Sequence, residues 1–325
     1  MIYENLEVLR QRVFEVTKRK APIRFTIFED TSEFIRIEVG DILRLSGNDY
    51  FVLGHAREGR FGIDDQPEFW VKSVLDLQTA ERKIIKLVFQ ESFKSHIGFV
   101  EFNCFRNSEK EADILSKMRC NRHFMQGTSA RDKAGNLVRI IDFVPGPSLY
   151  DYLRRMEMTH EFYYQQKLKE VMLPMIEAIA AIASLHKLGL NHGDIRADHL
   201  IVKNRKDTYV WIDFDYDVRE PAYDLFCLGN VLLQVVGKGR HSLHDIRLSQ
   251  ADYPHWTETL NANDMSLMFQ HRVSNLRKLF PYISADLNTI LTRFSLNAAD
   301  AYHSVDALLA DLQSLFPKRS NRDIL

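Results

Sequence analysis

Cysteine is scarce in this chain of 325 residues: only Cys104, Cys120 and Cys227 occur. An odd number with no close pair excludes a disulfide framework and a structural zinc site, and points to a reducing, cytoplasmic setting. An excess of one charge is lacking too. With 43 Lys and Arg against 44 Asp and Glu the net charge is -1, so no global field draws the chain to nucleic acid or to an anionic membrane. Long hydrophobic runs are absent: the most apolar stretch, Met175 to Leu185, contains Glu177 and falls far short of the roughly 20 residues that a membrane span requires. The opening residues Met1 to Glu7 offer neither a basic start nor an apolar run and do not read as a secretory signal. Gly (14) and Pro (9) are too few for a fibrous or disordered chain, and 45% hydrophobic with 27% charged residues is a globular composition. The length allows about two core-forming units.

What is present divides near Asp142 to Pro147. Leu6, Leu9, Val13 and Val16 recur at helical spacing before Pro22. Short strands follow at Phe25 to Phe28, Phe34 to Val39, Ile42 to Leu45 and Tyr50 to Leu53, then a hairpin from Phe69 to Leu75 and Lys83 to Phe89. One charged helix is expected from about Asn107 to Met118, with Ser108 as its cap and Ala112, Leu115 and Met118 facing inward. Beyond the boundary the pattern is helical: Leu149 to Met156, Tyr163 to His186 with a break or kink at Pro174, Asp224 to Val236, and shorter helices to Phe316.

The densest polar cluster lies between Leu190 and Asp217. Two apolar strands, Leu200 to Val202 and Tyr209 to Ile212, bracket a polar turn, with Asp194 shortly before the first and Asp213 directly after the second. An antiparallel hairpin brings those ends together, although Asp194 and Asp213 are 19 positions apart. Two carboxylates at one edge can position a nucleophile and bind a metal ion.

At these residues the chain resembles the protein-kinase-like phosphotransferases. His192-Gly193-Asp194 and Asp213-Phe214-Asp215 are similar to that family's His-x-Asp and Asp-Phe-Gly motifs, in order and spacing. By that resemblance Asp194 orients the attacking hydroxyl and accepts its proton, Asp213 holds Mg²⁺ or Mn²⁺ on the nucleotide phosphates, and Arg196 places a cation near the transferred group. Lys86, in Ile84-Ile85-Lys86-Leu87, resembles the phosphate-pairing lysine, and Glu111 its helix partner, with Glu109 as the alternative register. Gly59-Arg60-Phe61-Gly62 aligns with the glycine-rich nucleotide loop, in which Arg57 stands where the first glycine is expected and Ile63 to Phe69 looks like an insertion. Ile141-Asp142-Phe143-Val144 is similar to the hinge at the adenine pocket, with Ile141 bordering the base and backbone groups of Asp142 and Val144 bonding it. Asp224 resembles the buried carboxylate that holds the catalytic loop, and the segments from Leu287 and Ser304 resemble the closing helices of eukaryotic-type bacterial Ser/Thr protein kinases.

The pattern departs from the family at three points. His199 stands where the second metal ligand is usually Asn, and imidazole is a poorer Mg²⁺ ligand than an amide oxygen. Asp215 replaces the motif glycine and adds a possible carboxylate ligand. Only 11 positions separate Asp213 from Asp224, a gap similar to aminoglycoside and choline kinases and far shorter than a protein-kinase activation segment.

The resemblance implies an α+β, bilobal fold. Residues 46–143 form a small antiparallel β lobe with one helix that binds the nucleotide. Residues 144–325 form a larger, mainly helical, catalytic and substrate-binding lobe, and 1–45 add a helix and extra strands packed on the small lobe. The implied activity is ATP-dependent transfer of the γ-phosphoryl to a protein Ser or Thr hydroxyl. A small-molecule hydroxyl acceptor and a nucleotide-binding pseudokinase scaffold are the alternatives.

Overall fold

The computed structural model describes residues 5–18, 25–60, 63–203, 207–249, 253 and 259–317, and the chain forms two compact units. The first comprises Met1–Glu91, Arg106–Cys120 and Met125–Phe143; the second comprises Ser92–Phe105, Asn121–Phe124 and Val144–Leu325. The architecture is mixed α and β, and among the described residues no helix is long and apolar enough to cross a membrane. All three cysteines are free thiols.

A seven-stranded sheet organises the first unit, in the spatial order Ile27–Phe28, Ile42–Leu45, Asn48–Arg60, Ile63–Asp76, Arg82–Lys86, Leu137–Asp142 and Gly127–Arg131. All pairs are antiparallel except the first, which is parallel. One face buries Leu43, Leu45, Val52, Val74, Ile85 and Val138 in a common core. On the other, the amino-terminal helix Leu6–Thr17 sets Leu9 and Val13 against Ile42 and Leu77, and Arg12 Nε donates to the Leu77 carbonyl at 2.6 Å.

Three local expectations change. The segment from Phe34 to Val39 is not a strand: Phe34–Arg36 is a 3-10 turn, with Ile35 64% exposed and Val39 59% exposed. Its carbonyls turn inward to the fully buried Lys72 ammonium, which donates to Phe34 O at 3.0 Å and Ile37 O at 2.7 Å. The strand expected from Phe69 begins earlier, at Ile63, as part of a long strand paired with Asn48–Arg60, with register shifts at Val52/Gly54, His55/Ala56 and Glu58/Arg60. The helix Ser108–Lys117 is capped by Asn107 and not Ser108, because the Asn107 side chain accepts the Glu109 and Lys110 N–H groups.

In the second unit the apolar helix Leu168–Lys187 meets the hairpin of Leu200–Val202 and Tyr209–Trp211, and the buried Trp211 Nε1 donates to the Ala178 carbonyl at 2.9 Å. The expected break at Pro174 falls instead at Lys167, between the helix His160–Gln166 and this one. Pro174 frees the carbonyl of Glu170, an exposed residue that water can satisfy, so the helix runs on. A third helix, Pro221–Val236, begins on a proline suited to a first helical turn and is buried almost all round. The hairpin Ser92–Ile97 and Val100–Arg106 pairs with the short strand Tyr216–Asp217, in the order Tyr216–Asp217, Val100–Arg106, Ser92–Ile97. Sequence reading misses this hairpin, whose first strand alternates half-buried Phe93 and Ser95 with exposed Ser92, Lys94 and His96.

Replacing Lys72 by Met should remove the donor from two inward carbonyls and cost about 1–3 kcal/mol by denaturant titration. Burial pushes the Lys72 ammonium down to about 8, so the native chain binds this proton less tightly than the unfolded one. Wild-type stability should therefore rise as pH climbs from about 8 toward the ordinary lysine value of about 10.4, a slope that Lys72→Met should lack.

Candidate active site

The expected site residues fall into two groups of converging charged side chains, one in each unit. In the first, Lys86 and Arg139 are register partners on the adjacent strands Arg82–Lys86 and Leu137–Asp142. Two cations directly opposite each other repel. Glu111, in the first turn of Ser108–Lys117, lies between them: Lys86 Nζ is 2.9 Å from Oε1 and Arg139 Nε is 3.0 Å from Oε2. Arg139 also donates to the carbonyls of Leu137 at 2.9 Å and Leu87 at 3.3 Å. Glu111 is fully buried and Lys86 and Arg139 nearly so. One buried carboxylate thus faces two buried cations.

The remaining expected residues of this unit lie around the same sheet. Ile141 is buried on the strand Leu137–Asp142; the Asp142 N–H donates to the Gln126 carbonyl at 2.8 Å and its carboxylate pairs with Lys83 at 2.8 Å. Gly59 belongs to the strand Asn48–Arg60, whereas Phe61 and Gly62 lie outside the described residues. Val144 opens the last segment of the second unit.

The second group is built on the register Leu200↔Trp211, which brings the segments flanking the hairpin together, with the Ile212 N–H donating to His199 O at 3.0 Å. Asp213 leaves its strand with φ 62, a left-handed conformation that Asp tolerates better than most residues. The chain turns there, sends Phe214 into the core against Phe124 and His192, and buries Asp215. Asp213 and Asp215 offer oxygens within 4.8 Å of one another, close enough to share a cation.

Between Asp194 and Asp213 stands His199. Its Nδ1 is 2.9 Å from the Asp194 carbonyl oxygen and 3.5 Å from Asp194 Oδ2, while Nε2 is 3.7 Å from Asp213 Oδ2 and meets Nη2 of Arg196. The carbonyl contact assigns the ring proton to Nδ1, which leaves Nε2 to accept from the guanidinium. Arg196 is 3.3 Å from Asp194 and 3.7 Å from Asp198.

The loop that carries this group is fixed from beneath by Asp224, which is fully buried in the first turn of Pro221–Val236. Its carboxylate accepts the His192 N–H at 2.6 Å, the Gly193 N–H at 2.8 Å and His186 Nε2 at 2.9 Å. Gly193 has φ 85, the conformation that aims its N–H downward and that a glycine adopts freely. Burial pushes the Asp224 carboxyl up, but His186, His192 and the Gly193 N–H outweigh it and hold the group below the ordinary carboxylate range. Two participants escaped sequence reading, Arg139 and His186. Arg139 left a signal, as the one charge within the apolar run Leu137-Val138-Arg139-Ile140-Ile141; His186, at the end of an apolar helix, left none.

No protein-family model matches the chain. Among curated proteins, 206 residues, 54% of the chain, are 23% identical to the death-associated protein kinase dapk-1 of Caenorhabditis elegans, covering 14% of it. A stretch of 186 residues, 57% of the chain, is 24% identical to the probable serine/threonine-protein kinase clkA of Dictyostelium discoideum, covering 18% of it. A third match, to the probable serine/threonine-protein kinase fnkE of the same organism, is 28% identical over 108 residues, 32% of the chain and 8% of that protein. The chain is similar, at low identity, to Ser/Thr protein kinases. It spans less than a fifth of the length of each of these relatives.

Substituting Asp224 by Asn should cost about 3–5 kcal/mol, because a buried charge-assisted acceptor is lost while its donors stay buried. Since its native pKa is depressed, the stability that Asp224 contributes is fully present above about pH 4 and is lost as pH falls through the native value. Acid titration of wild type and Asp224→Asn should show that term in the wild type alone.

Proposed function

We propose that the chain is an ATP-dependent phosphotransferase of the protein-kinase-like kind, with that family's two-lobed arrangement, and that it moves the γ-phosphoryl to a protein Ser or Thr hydroxyl. The observation that carries this reading is the pair of carboxylates, Asp194 and Asp213, facing a single imidazole at 3.5 and 3.7 Å. The resemblance of the surrounding motifs and the low-identity similarity to Ser/Thr protein kinases support it.

Lys86, held by Glu111, binds nucleotide phosphate oxygens with an ammonium whose position Arg139 and Glu111 fix beforehand, so little reorganisation is needed at the moment of transfer. Gly59, Phe61 and Gly62 cover the phosphates, and Ile141, Asp142 and Val144 receive the base. Asp194 accepts the proton of the attacking hydroxyl, and Arg196 beside it stabilises charge on the transferred group. Asp213 and Asp215 fit a hard divalent cation, Mg²⁺ or Mn²⁺, because both supply carboxylate oxygens. That ion supplies charge neutralisation on the phosphate oxygens. For His199 to join as a ligand, Arg196 would have to release Nε2.

A small-molecule hydroxyl acceptor is the second reading, favoured by one observation: after Asp215 the chain goes directly into the strand Tyr216–Asp217 and the helix from Pro221, which leaves little chain for docking a peptide.

Asp194→Asn should abolish phosphoryl transfer from labelled ATP while nucleotide binding by calorimetry persists. Unchanged turnover would remove Asp194 from its role, and absence of turnover in the wild type with binding retained would favour the nucleotide-binding scaffold. Lys86→Met should weaken nucleotide binding by roughly tenfold or more, the loss of one charge-assisted contact. Offering the wild type a mixed protein pool beside a panel of small hydroxyl compounds separates the two acceptor classes.

A further inference from the structure

A second cationic site lies in the second unit, at the carboxyl end of the helix Pro221–Val236. That helix is apolar beyond Asp224 except for Asn230 and Gln234, one turn apart on one face and both buried. Buried amides in an apolar helix call for polar partners. Each turns its oxygen to a guanidinium: Asn230 Oδ1 accepts from Arg272 Nη1 at 3.3 Å, and Gln234 Oε1 accepts from Arg240 Nε at 3.5 Å. Those contacts leave the amide NH₂ groups and the remaining guanidinium N–H groups as donors.

The two arginines, Asn230, Gln234 and His241 line one shallow crevice partly open to solvent, and among the described residues no carboxylate lines it. Both guanidinium groups are held by more than the amides. Arg272 sits 3.9 Å over the Phe269 ring, and its backbone is fixed by the bridge to Ser242 and by donating to the Phe269 carbonyl at 2.8 Å. Arg240 lies 5.0 Å over Tyr150. His241 adds no charge: Nε2 donates to the Gly237 carbonyl, Nδ1 faces the Tyr253 hydroxyl, and burial lowers its pKa and keeps it neutral. Asp245, whose carboxylate is bonded to the Ser242 hydroxyl at 2.6 Å, acts on Arg272 as an opposing charge. Burial, and then the proximity of Arg240, outweighs it and pushes the Arg272 guanidinium down to about 10.

We propose that this cavity binds a phosphate monoester group, carried by a small molecule or by a phosphorylated side chain, between Arg240 and Arg272. The chemistry selects that class. Two guanidinium forks and two amide NH₂ groups present only donors and two positive charges, which matches a dianion with three terminal oxygens better than a carboxylate with two. The site lies within one unit and uses none of the residues assigned to phosphoryl transfer, so it stands or falls independently of that reading.

Inorganic phosphate should raise the melting temperature of the full chain saturably, while chloride at matched ionic strength and acetate should not. Arg240→Gln, an exposed substitution outside the core, should weaken the apparent affinity roughly tenfold, and Arg272→Gln should remove the response. Lys86→Met should leave it intact. An equal response to chloride or acetate overturns the proposal, as does an unaltered response in Arg240→Gln or its loss in Lys86→Met, which would mean that phosphate had bound at the nucleotide lysine. Should Arg272→Gln fail to fold, Arg240→Gln carries the test. Competition by a phosphoserine peptide, its unphosphorylated form and free phosphoserine then identifies the source: stronger competition by the phosphopeptide assigns a protein ligand, and equal competition by free phosphoserine a small molecule. Either result upholds the site.

Discussion

The buried carboxylate of Asp224 is the constraint on which the second unit's chemistry rests. A charge with no exposed surface survives only if donors surround it, and here those donors are the successive backbone N–H groups of His192 and Gly193 and one imidazole. The loop has little choice of path, because moving His192 or Gly193 would strand the charge. The next residue, Asp194, therefore sits at the edge of the helix that supplies Asp224. His199 follows five positions later, tied back by its Nδ1 contact to the Asp194 carbonyl. From one anion the order of fixation runs outward: carboxylate, loop backbone, reactive side chains. Gly193 is the joint, since its positive φ lets two neighbouring N–H groups turn toward one acceptor.

In the first unit Lys86 and Arg139 share the carboxylate of Glu111. In the second, Asp194 and Asp198 lie beside the Arg196 guanidinium, and Asp213 faces His199 with Asp215 close to it. A sequence optimised for stability alone would pair such charges off or replace them with apolar groups of similar volume. The crevice beside Arg240 and Arg272 has no carboxylate among its described lining residues.

Features set by local pattern were legible in the sequence, and features set by distant partners were not. The hairpin of Leu200–Val202 and Tyr209–Trp211 could be read because its apolar runs and polar turn are contiguous, and its register brings Asp194 and Asp213 to one imidazole. Lys86 and Glu111, 25 positions apart, were identified through motif resemblance and not through any pattern of their own. Phe34 to Val39 read as a strand because nothing within it announces Lys72, whose ammonium draws its carbonyls inward from 35 and 38 positions away. Asn107 and Ser108 are both good caps, and only the backbone angles of Asn107 decide between them. Pro174 marked a break because a proline removes a bond, but the cost depends on whether solvent reaches the freed carbonyl, which burial determines and sequence does not.

The 11 positions from Asp213 to Asp224 are almost wholly used by structure. Asp213 makes the left-handed turn, Phe214 fills the core between Phe124 and His192, and Asp215 is buried. Tyr216–Asp217 then joins the inserted hairpin as a third strand, with the Tyr216 ring edge-on to Phe93, and the helix starts at Pro221. Between that strand and the helix, Val218, Arg219 and Glu220 lie outside regular structure, and Arg219 is set over the Phe105 ring. A segment so short and so anchored has no slack to alternate between ordered and disordered states. The hairpin Ser92–Arg106 is what anchors it, and in sequence that hairpin stands between Lys86 and Glu111.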